Sequence, residues 1–286
     1  MLTLAFADGE PLPPGAGRKV IEWFDDDGQV SIRAFSDGYL RRIDCPGFGV
    51  FAFSADSPEV RVWPEPGVRH EAIIETFGMV QPVILQGMGW QALHAGAAVG
   101  PAGLLAFCGR AGSGKSTLAF AMRHADCQQF ADDALVLRFE GNLVTACPLP
   151  FTPRLRPPSR AYFAHARAPL PSLQKPQASH VPLRALFLLK QDANLTSPRI
   201  SLMPLARAFS ELLPHVHCFD TEDPTHVRQL AESYLELVAR VPVFTLEYRP
   251  DFQLLADLTR AVVEAAAGIE AGAVSSSELR PGVSCP

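Results

Sequence analysis

Residues 103–137 read GLLAFCGRAGSGKSTLAFAMRHADCQQFADDALVL. An apolar run, typical of a buried strand, leads into a glycine-rich loop, and the residues after the loop have the pattern of a helix. The stretch Gly109–Ser116 fits G-x-x-x-x-G-K-[ST], which in this strand–loop–helix context is the signature of a phosphate-binding loop. The sequence therefore predicts an α/β fold with a nucleotide-phosphate site in its core.

Each residue type in the loop has a physical reason to be there. Glycines let backbone N–H groups turn toward phosphate oxygens, and the helix that follows adds the partial positive charge of its N-terminus. We expect Lys115 to reach the β- and γ-phosphates and the Ser116 hydroxyl to bind Mg²⁺. The predicted nucleotide-binding residues are Gly109, Arg110, Ala111, Gly112, Ser113, Gly114, Lys115, Ser116 and Thr117.

Two adjacent aspartates follow soon after the loop: Asp132 lies 16 residues after Ser116, and Asp133 is next to it. P-loop proteins commonly place one carboxylate near Mg²⁺, usually on a more distant strand. Adjacent residues of an extended segment point to opposite sides, so we expect different roles for the two. The alternative is that one is a ligand and the other a turn or cap residue. His94 precedes the loop in an apolar strand, where a lone histidine is more often a hydrogen-bonded core residue.

Composition narrows the class of protein. The chain has 286 residues, 48% of them hydrophobic, 19% charged, a net charge of −5 and a pI near 5.9. This balance argues against nucleic acid as a partner, which would require a basic domain or stripe. The six cysteines form no C-x-x-C pair. With no signal peptide and no apolar stretch of membrane-spanning length, we expect a soluble, cytoplasmic protein with no membrane partner.

The N-terminal part is predicted to be rich in strands. Residues 1–17 are rich in proline and glycine and are expected to be a loose lead-in, and alternating apolar segments follow up to residue 63, separated by Asp-Gly and Ser-Asp-Gly turns. The acidic run 25–27 is interpreted as a solvated hairpin turn. We predict an N-terminal β-rich portion over residues 1–68, either for recognition of the acceptor, which we favour, or as an extension of the catalytic sheet.

The rest of the chain is predicted to form one catalytic domain over residues 69–270, followed by a disordered tail over 271–286. We expect a helix over 69–93, a strand over 92–99, and irregular structure over 148–182, which holds nine prolines. A buried strand LRALFLLKQ, the helices LARAFSELLPHV and HVRQLAESYLELVARV, a strand VFTLEYRP and a closing amphipathic helix are expected after it.

The segments LHAGAAV, GLLAFCGRAGSGKSTLA and FADDALVL together resemble the catalytic domain of the HPr kinase/phosphorylase family. The resemblance covers residues 90–147 firmly and extends more loosely to about residue 250. There the chain looks like the stand-alone HPr-kinase-related proteins of bacterial peptide-modification clusters, some of which phosphorylate lasso-peptide precursors. It implies a mixed-sheet core of the kind shared with phosphoenolpyruvate carboxykinases, and an ATP- and Mg²⁺-dependent serine kinase.

The resemblance also assigns roles to residues. It implies that Asp132 takes the proton from the acceptor hydroxyl, that Asp133 lies on the Mg²⁺ side with Ser116, and that His94 orients the pair near the γ-phosphate. Lys115 is then both a phosphate ligand and a catalytic residue. Such an arrangement suits phosphoryl transfer, which requires in-line positioning, charge neutralisation and a base on the incoming oxygen.

The chain departs from the family in several places. The loop ends in Lys-Ser-Thr where the HPr enzymes carry Lys-Ser-Glu, and CPLPFTPRLRPPSR replaces the segment that supplies a further acid for the metal. That segment offers Arg154 and Arg156 as candidate phosphate or acceptor contacts, with Arg160 beyond them. The N-terminal part does not resemble the family's regulatory domain, which argues against HPr itself as the acceptor.

Three functions are therefore considered. The first is a kinase that phosphorylates a hydroxyl, expected to be serine, on a peptide or small protein such as a lasso-type precursor. The second is a small-molecule hydroxyl kinase on the same core. The third is an ATP-binding regulatory module without turnover. A homo-oligomer is expected only by analogy with the hexameric HPr enzymes.

Overall fold

The computed structural model describes residues 2–9, 17–24, 28–101, 103–151, 153–165 and 180–272. The strands are β1 (Thr3–Phe6), β2 (Arg18–Phe24), β3 (Val30–Ser36), β4 (Leu40–Cys45), β5 (Gly49–Ser54), β6 (Glu59–Pro64), β7 (Gln91–Leu93), β8 (Ala95–Gly100), β9 (Gly103–Cys108), β10 (Gln128–Ala131), β11 (Leu135–Glu140), β12 (Leu143–Cys147), β13 (Val181–Gln191), β14 (Arg199–Leu202) and β15 (Val243–Tyr248). The helices are α1 (His70–Gly87), α2 (Lys115–Ala121), α3 (Pro157–His165), α4 (Leu205–Leu212), α5 (Pro224–Arg240) and α6 (Leu255–Gly272), with short 3₁₀ turns at Met122–Ala125, Leu213–His215 and Phe252–Leu254. The predicted mixture of helices and strands is confirmed.

The strands form two separate sheets. The first has the order β1-β6-β5-β4-β3-β2 and is antiparallel except for the parallel pair β1 and β6. The second has the order β10-β8-β9-β13-β12-β11-β7, with β15 added to β13 and β14 added to β15. In this mixed sheet β13 runs parallel to both β9 and β15. The carboxyl ends of these three strands therefore meet at one edge of the sheet, where loops of α/β proteins commonly bind ligands.

Alternation along the strands gives the second sheet two buried faces. On β9, Leu104 and Ala106 belong to a core covered by α4 and α5, whereas Leu105 and Phe107 belong to a core covered by α2, α3 and α6. This is the period of two expected of a strand. The helices therefore lie on both faces, and α2 packs directly beneath the strands that carry the glycine-rich loop.

The first sheet has its own core against α1. Phe51 stacks on Phe77 of α1 with ring centroids 6.2 Å apart. Phe219, from the segment between α4 and α5, is 2% exposed and meets Phe53 edge-on at 6.0 Å. The Arg41 guanidinium lies 5.9 Å from the Phe219 ring centroid. The first sheet is thus attached to the rest of the chain through α1 and the segment around Phe219.

Two expectations around His94 are wrong in detail. The helix predicted over 69–93 ends at Gly87, because Gly89 takes a left-handed backbone with φ of +92°, and residues 91–93 form β7 instead. The single strand predicted over 92–99 is interrupted at His94, since β7 pairs with β11 while β8 pairs with β9 and β10. His94 therefore lies between two strands that belong to different parts of the sheet.

Other expectations were incomplete. The proline-rich segment contains a helix, α3, because Pro157 and Pro158 occupy its first positions, where the missing N–H group has no intrahelical partner to lose. Part of the predicted lead-in forms β1, and neither β4 nor β14 was anticipated. The acidic run 25–27, residues 166–179 of the proline-rich stretch and nearly all of the predicted tail lie outside the described residues. The domain boundaries at 68 and 270 stay a prediction.

Candidate active site

The glycine-rich loop joins β9 to α2, as the sequence predicted. Gly112 and Gly114 have φ of +82° and +89°, a left-handed backbone that favours glycine. A Cβ at Gly114 would overlap the Tyr248 hydroxyl, and one at Gly112 would lie 3.1 Å from an Arg156 guanidinium nitrogen. The backbone conformation therefore favours glycine at both positions, and at Gly114 the close approach of Tyr248 also requires it.

Two residues, Tyr248 and Gln191, hold the loop by hydrogen bonds to its backbone, and the sequence did not predict them. The Tyr248 hydroxyl donates to the Ser113 carbonyl oxygen at 2.5 Å, and Gln191 Nε2 donates to the Gly112 carbonyl oxygen at 3.2 Å. Tyr248 ends β15 and Gln191 ends β13, the strands whose carboxyl ends meet the end of β9. The position of polar residues at the ends of buried, parallel strands was the available signal for finding them.

Lys115 is held inside the loop. Its Nζ donates to the Gly109 carbonyl oxygen at 2.7 Å and to the Arg110 carbonyl oxygen at 3.3 Å, and the residue is 8% exposed. Burial lowers the pKa of its ammonium group. The ammonium group is thus held by two backbone carbonyl oxygens of the loop itself.

The two aspartates lie in different environments. Asp132 is 6% exposed, and its Oδ2 accepts a hydrogen bond from the Arg154 backbone N–H at 2.6 Å. Its Oδ1 is buried and has no hydrogen-bond partner among the described residues. Burial raises the pKa of the Asp132 carboxyl, and the Ser116 hydroxyl and the Arg154 amide oppose that shift. Asp133 is about half exposed, with a side-chain exposure of 49%.

The predicted divergence of the two carboxylates has a different cause from the one expected. β10 ends at Ala131, and Asp133 has a φ of +69°, so the pair lies on a bend and not on an extended strand. Aspartate tolerates the left-handed region better than most residues, although it still carries strain there. The bend turns Asp133 outward while Asp132 stays buried.

Asp133 links His94 and Arg154. Its Oδ1 lies 3.3 Å from His94 Nδ1, and its Oδ2 lies 3.3 Å from Arg154 Nη1. Burial, followed by the charge of Lys115, lowers the pKa of His94. The imidazole is therefore neutral at pH 7 and meets Asp133 as a hydrogen-bond partner and not as an ion. The backbone N–H of His94 donates to the His215 carbonyl oxygen at 2.7 Å, which holds the chain break between β7 and β8 in place.

Two further histidines, His215 and His217, were not anticipated. The His217 ring lies 6.1 Å from the His94 ring, edge to face, and burial lowers its pKa to about 4. On its other side the His217 ring lies 6.1 Å from the Trp23 ring of β2. A row of rings therefore connects the first sheet to His94. Trp23, His94 and His217 are far apart in sequence, so no local sequence pattern predicts that their rings lie side by side.

The arginines of the proline-rich segment divide into two groups. Arg154 and Arg156 line the same cavity as Lys115 and Asp133. Arg160 lies one turn into α3, where its N–H bonds to the Arg156 carbonyl oxygen, and it is not among the residues that line the cavity. The Thr117 hydroxyl and the Ser159 hydroxyl are 2.8 Å apart, which ties α3 to the first turn of α2.

A cavity of about 470 Å³ lies along the first turn of α2, a size typical of small-molecule sites. It brings together ten of the predicted residues, namely His94, Ala111, Gly112, Gly114, Lys115, Ser116, Thr117, Asp133, Arg154 and Arg156. A second cavity of about 670 Å³ lies on the other flank of the loop, along Gly109, Arg110, Ser113 and His215. The loop is therefore accessible from both sides.

The oxygen donors at the loop suit a divalent cation. Asp132 Oδ1 is a buried carboxylate oxygen without a hydrogen-bond donor in the described part of the chain, and the Ser116 hydroxyl is close enough to affect its pKa. Within the described ranges there is no cluster of three or more His, Cys, Asp or Glu side chains that could hold a metal by itself. This arrangement fits Mg²⁺, which usually binds one or two carboxylates, keeps waters and takes its remaining ligands from phosphates.

Comparisons with known proteins give a distant structural likeness. No protein-family model and no curated protein sequence matches the chain. Among solved structures, the chain is similar to the HPr(Ser) kinase/phosphatase from Coxiella burnetii, with 14% identity, a TM-score of 0.37, and coverage of 63% of this chain and 99% of that one. At that level of similarity, function has to be inferred from the residues of the site. None of the helices in the described residues is long and apolar enough to cross a membrane.

Proposed function

We propose that this protein is an ATP-dependent kinase that transfers the γ-phosphate to a hydroxyl group, that of a serine in a peptide or small protein. The observation that carries the proposal is a buried carboxylate, that of Asp132, with one oxygen that has no hydrogen-bond donor in the described residues, close to the glycine-rich loop. A nucleotide-binding module without turnover has no use for such a group, because a buried carboxylate oxygen without a donor costs stability.

The residues of the chain divide the work of phosphoryl transfer. The loop N–H groups and Lys115 hold the phosphate chain, and Arg154 and Arg156 add positive charge on the cavity wall. Ser116 and Asp133 are the groups that would hold Mg²⁺, which neutralises phosphate charge during transfer. Neutral His94 orients the Asp133 carboxylate through its hydrogen bond.

We assign the proton-accepting role to Asp132. Burial raises its pKa, which makes the carboxylate a better proton acceptor, and its Oδ1 has no hydrogen-bond partner among the described residues. Both oxygens of Asp133 already have partners in His94 and Arg154. A second assignment exchanges the two roles, and it is favoured by a specific observation: Asp133, and not Asp132, lines the cavity.

The peptide nature of the acceptor is supported by the surroundings of His94. The ring row His94–His217–Trp23 leads from the site to β2, an edge strand of the first sheet whose Trp23 and Phe24 are 38% and 58% exposed. Exposed aromatic residues beside an edge strand are typical of surfaces that bind extended peptides. A small-molecule acceptor would have no need of this surface.

The proposal is tested with radiolabelled ATP, Mg²⁺ and two matched peptide libraries that differ only in having serine or alanine at one position. We expect label on the serine library alone. Asp132→Asn should reduce transfer by about 10²–10⁴-fold, the usual contribution of a general base, while nucleotide affinity and its dependence on Mg²⁺ stay within about threefold.

Asp133→Asn is the matched variant. Under the favoured assignment it weakens the Mg²⁺ dependence of nucleotide binding, whereas Asp132→Asn does not. If Asp132→Asn removes the Mg²⁺ dependence instead, the two roles are exchanged. If the wild-type protein binds ATP but labels neither peptides nor small hydroxyl compounds, the kinase proposal is wrong.

A further inference from the structure

The cavity beside α2 has two chemically different ends. One end carries the polar groups already described, with Lys115, Asp133 and Arg154 among them. The other end is walled by Pro158, Pro250, Phe252, Leu255 and Leu258. The first turn of α2, from Lys115 to Leu118, also lines the cavity. A phosphate chain on the loop would thus leave the rest of its molecule directed at the apolar end.

The apolar end is rigid. Leu255 and Leu258 are 5% and 3% exposed and belong to the core under α6. The Phe252 ring is partly buried and stacks on the Tyr162 ring of α3, with centroids 4.8 Å apart and planes 15° apart. Flat, fixed aromatic and aliphatic surfaces of this kind bind other flat rings through packing, at little entropic cost.

The polar side chains at this end already have partners. The Thr117 and Ser159 hydroxyls are bonded to each other. Asp251 Oδ1 accepts the Gln253 backbone N–H at 3.0 Å, and Asp251 Oδ2 lies 3.8 Å from Arg249 Nε. Each of these three side chains therefore already has a hydrogen-bond or ion-pair partner in the described part of the chain. Recognition of a base edge by hydrogen bonds needs uncommitted donors and acceptors.

We propose that the apolar end is the nucleobase slot, that Phe252 and Pro158 hold the base by packing alone, and that adenine and guanine nucleotides are consequently both accepted. The inference rests on the proposed function, because it assumes that a nucleotide's phosphates occupy the loop. It goes further by naming the residues that bind the base and by stating that they do not discriminate between purines.

The test uses the full chain with Mg²⁺ and measures the affinities of ATP, GTP and inorganic tripolyphosphate by calorimetry. We expect ATP and GTP to bind within about threefold of each other and tripolyphosphate to bind about tenfold more weakly, since stacking of one base on an aromatic ring contributes roughly that factor or more. Phe252→Ala should weaken the affinity for ATP by about tenfold and leave the affinity for tripolyphosphate unchanged. Unchanged tripolyphosphate binding also shows that the variant is folded.

Phe48→Ala, a partly exposed phenylalanine in a turn of the first sheet, is the control and should bind all three ligands as the wild type does. The inference is overturned if Phe252→Ala leaves the ratio of ATP to tripolyphosphate affinity unchanged. It is equally overturned if one purine nucleotide binds more than tenfold more tightly than the other and Asp251→Ala abolishes the preference. Asp251 would then recognise the edge of the base by hydrogen bonding. If tripolyphosphate binds and ATP binds no more tightly, only the assignment of the nucleobase slot is wrong. If neither ligand binds, the proposed function is wrong.

Discussion

Asp132 is a residue at which stability and chemistry oppose each other. Its carboxylate is 6% exposed and receives one hydrogen bond, at Oδ2, while Oδ1 has no donor among the described residues. Burial accordingly raises its pKa. A group whose folded pKa lies above its unfolded pKa stabilises the fold only while it is protonated, and this stabilisation is lost as the pH rises through the folded pKa.

Replacement of Asp132 by asparagine should therefore stabilise the protein at neutral pH. The amide keeps an oxygen for the Arg154 N–H and carries no charge to desolvate. We expect the Tm of Asp132→Asn to exceed that of the wild type by a few degrees at pH 7, and the difference to vanish below about pH 4, where the aspartate is protonated in both states.

The measurement is thermal unfolding followed by circular dichroism between pH 3 and pH 8. Asp257→Asn is the control, since this carboxylate is exposed and forms a surface ion pair with Arg260. Its Tm should differ little from that of the wild type. A lower Tm of Asp132→Asn at pH 7 would mean that the buried carboxylate is stabilised as an ion.

Helix α3 is the element on which one wall of the cavity depends. It begins at Pro157, just after Arg156, and it contributes Pro158 and the buried Ser159 to the cavity. Two contacts hold it against α2: the Thr117–Ser159 hydroxyl pair at 2.8 Å and the rings of Phe120 and Phe163, whose centroids are 4.6 Å apart. The hydroxyl pair thus couples α3 to the first turn after the loop.

A double-mutant cycle measures that coupling. Thr117→Val and Ser159→Ala should each lower the free energy of unfolding in urea by about 1 kcal/mol, the usual net value of one hydrogen bond. The double variant should lose less than the sum, with a coupling energy of at least 0.5 kcal/mol, since each single change already breaks the same bond.

Ser233→Ala is the matched control, because its hydroxyl donates to the Gln229 carbonyl oxygen of its own helix and has no other hydrogen bond among the described residues. Its effect should stay within about 0.5 kcal/mol. Strict additivity of the Thr117 and Ser159 changes would show that the hydroxyl pair does not connect the two helices.

At the scale of the whole molecule, the first sheet reaches the site from the side. Arg18 at one end of β2 forms ion pairs with Asp220 and Glu222, and Trp23 near the other end lies beside His217. The segment 217–222 is thus in contact with β2 and, through His217, with the ring of His94. An acceptor bound along β2 would be close to the phosphoryl-transfer site.

If β2 recognises the acceptor, as proposed, Trp23→Ala should raise the KM for the peptide on the order of tenfold, as removal of an interface tryptophan commonly does. The affinity for ATP should not change. Tyr39→Ala is the control, because Tyr39 is an aromatic residue of the same sheet that is 66% exposed. It lies in the turn between β3 and β4, away from the end of β3 that pairs with Trp23. If the KM for the peptide rises equally for both variants, or rises for neither, β2 does not recognise the acceptor.

The sequence by itself determined the parts of this protein that depend on neighbouring residues. The strand, loop and helix around Gly109–Ser116 could be predicted because backbone sterics and hydrophobic alternation act over a few residues. The same holds for the buried strand β13 and the closing helix α6. The prediction that His94 and the two aspartates lie near the loop came only from the family resemblance, because spacing along the sequence does not specify a distance in space.

Only the tertiary structure decided which distant residues complete the site. Tyr248 braces Ser113 from 135 positions away, and Arg154 meets Asp133 across 21. The end of α1 at Gly87, the break at His94 and the helix within the proline-rich segment likewise depend on strand pairing and packing. Such contacts form because parallel strands bring their ends to one edge of a sheet, and no local pattern records which strands become neighbours.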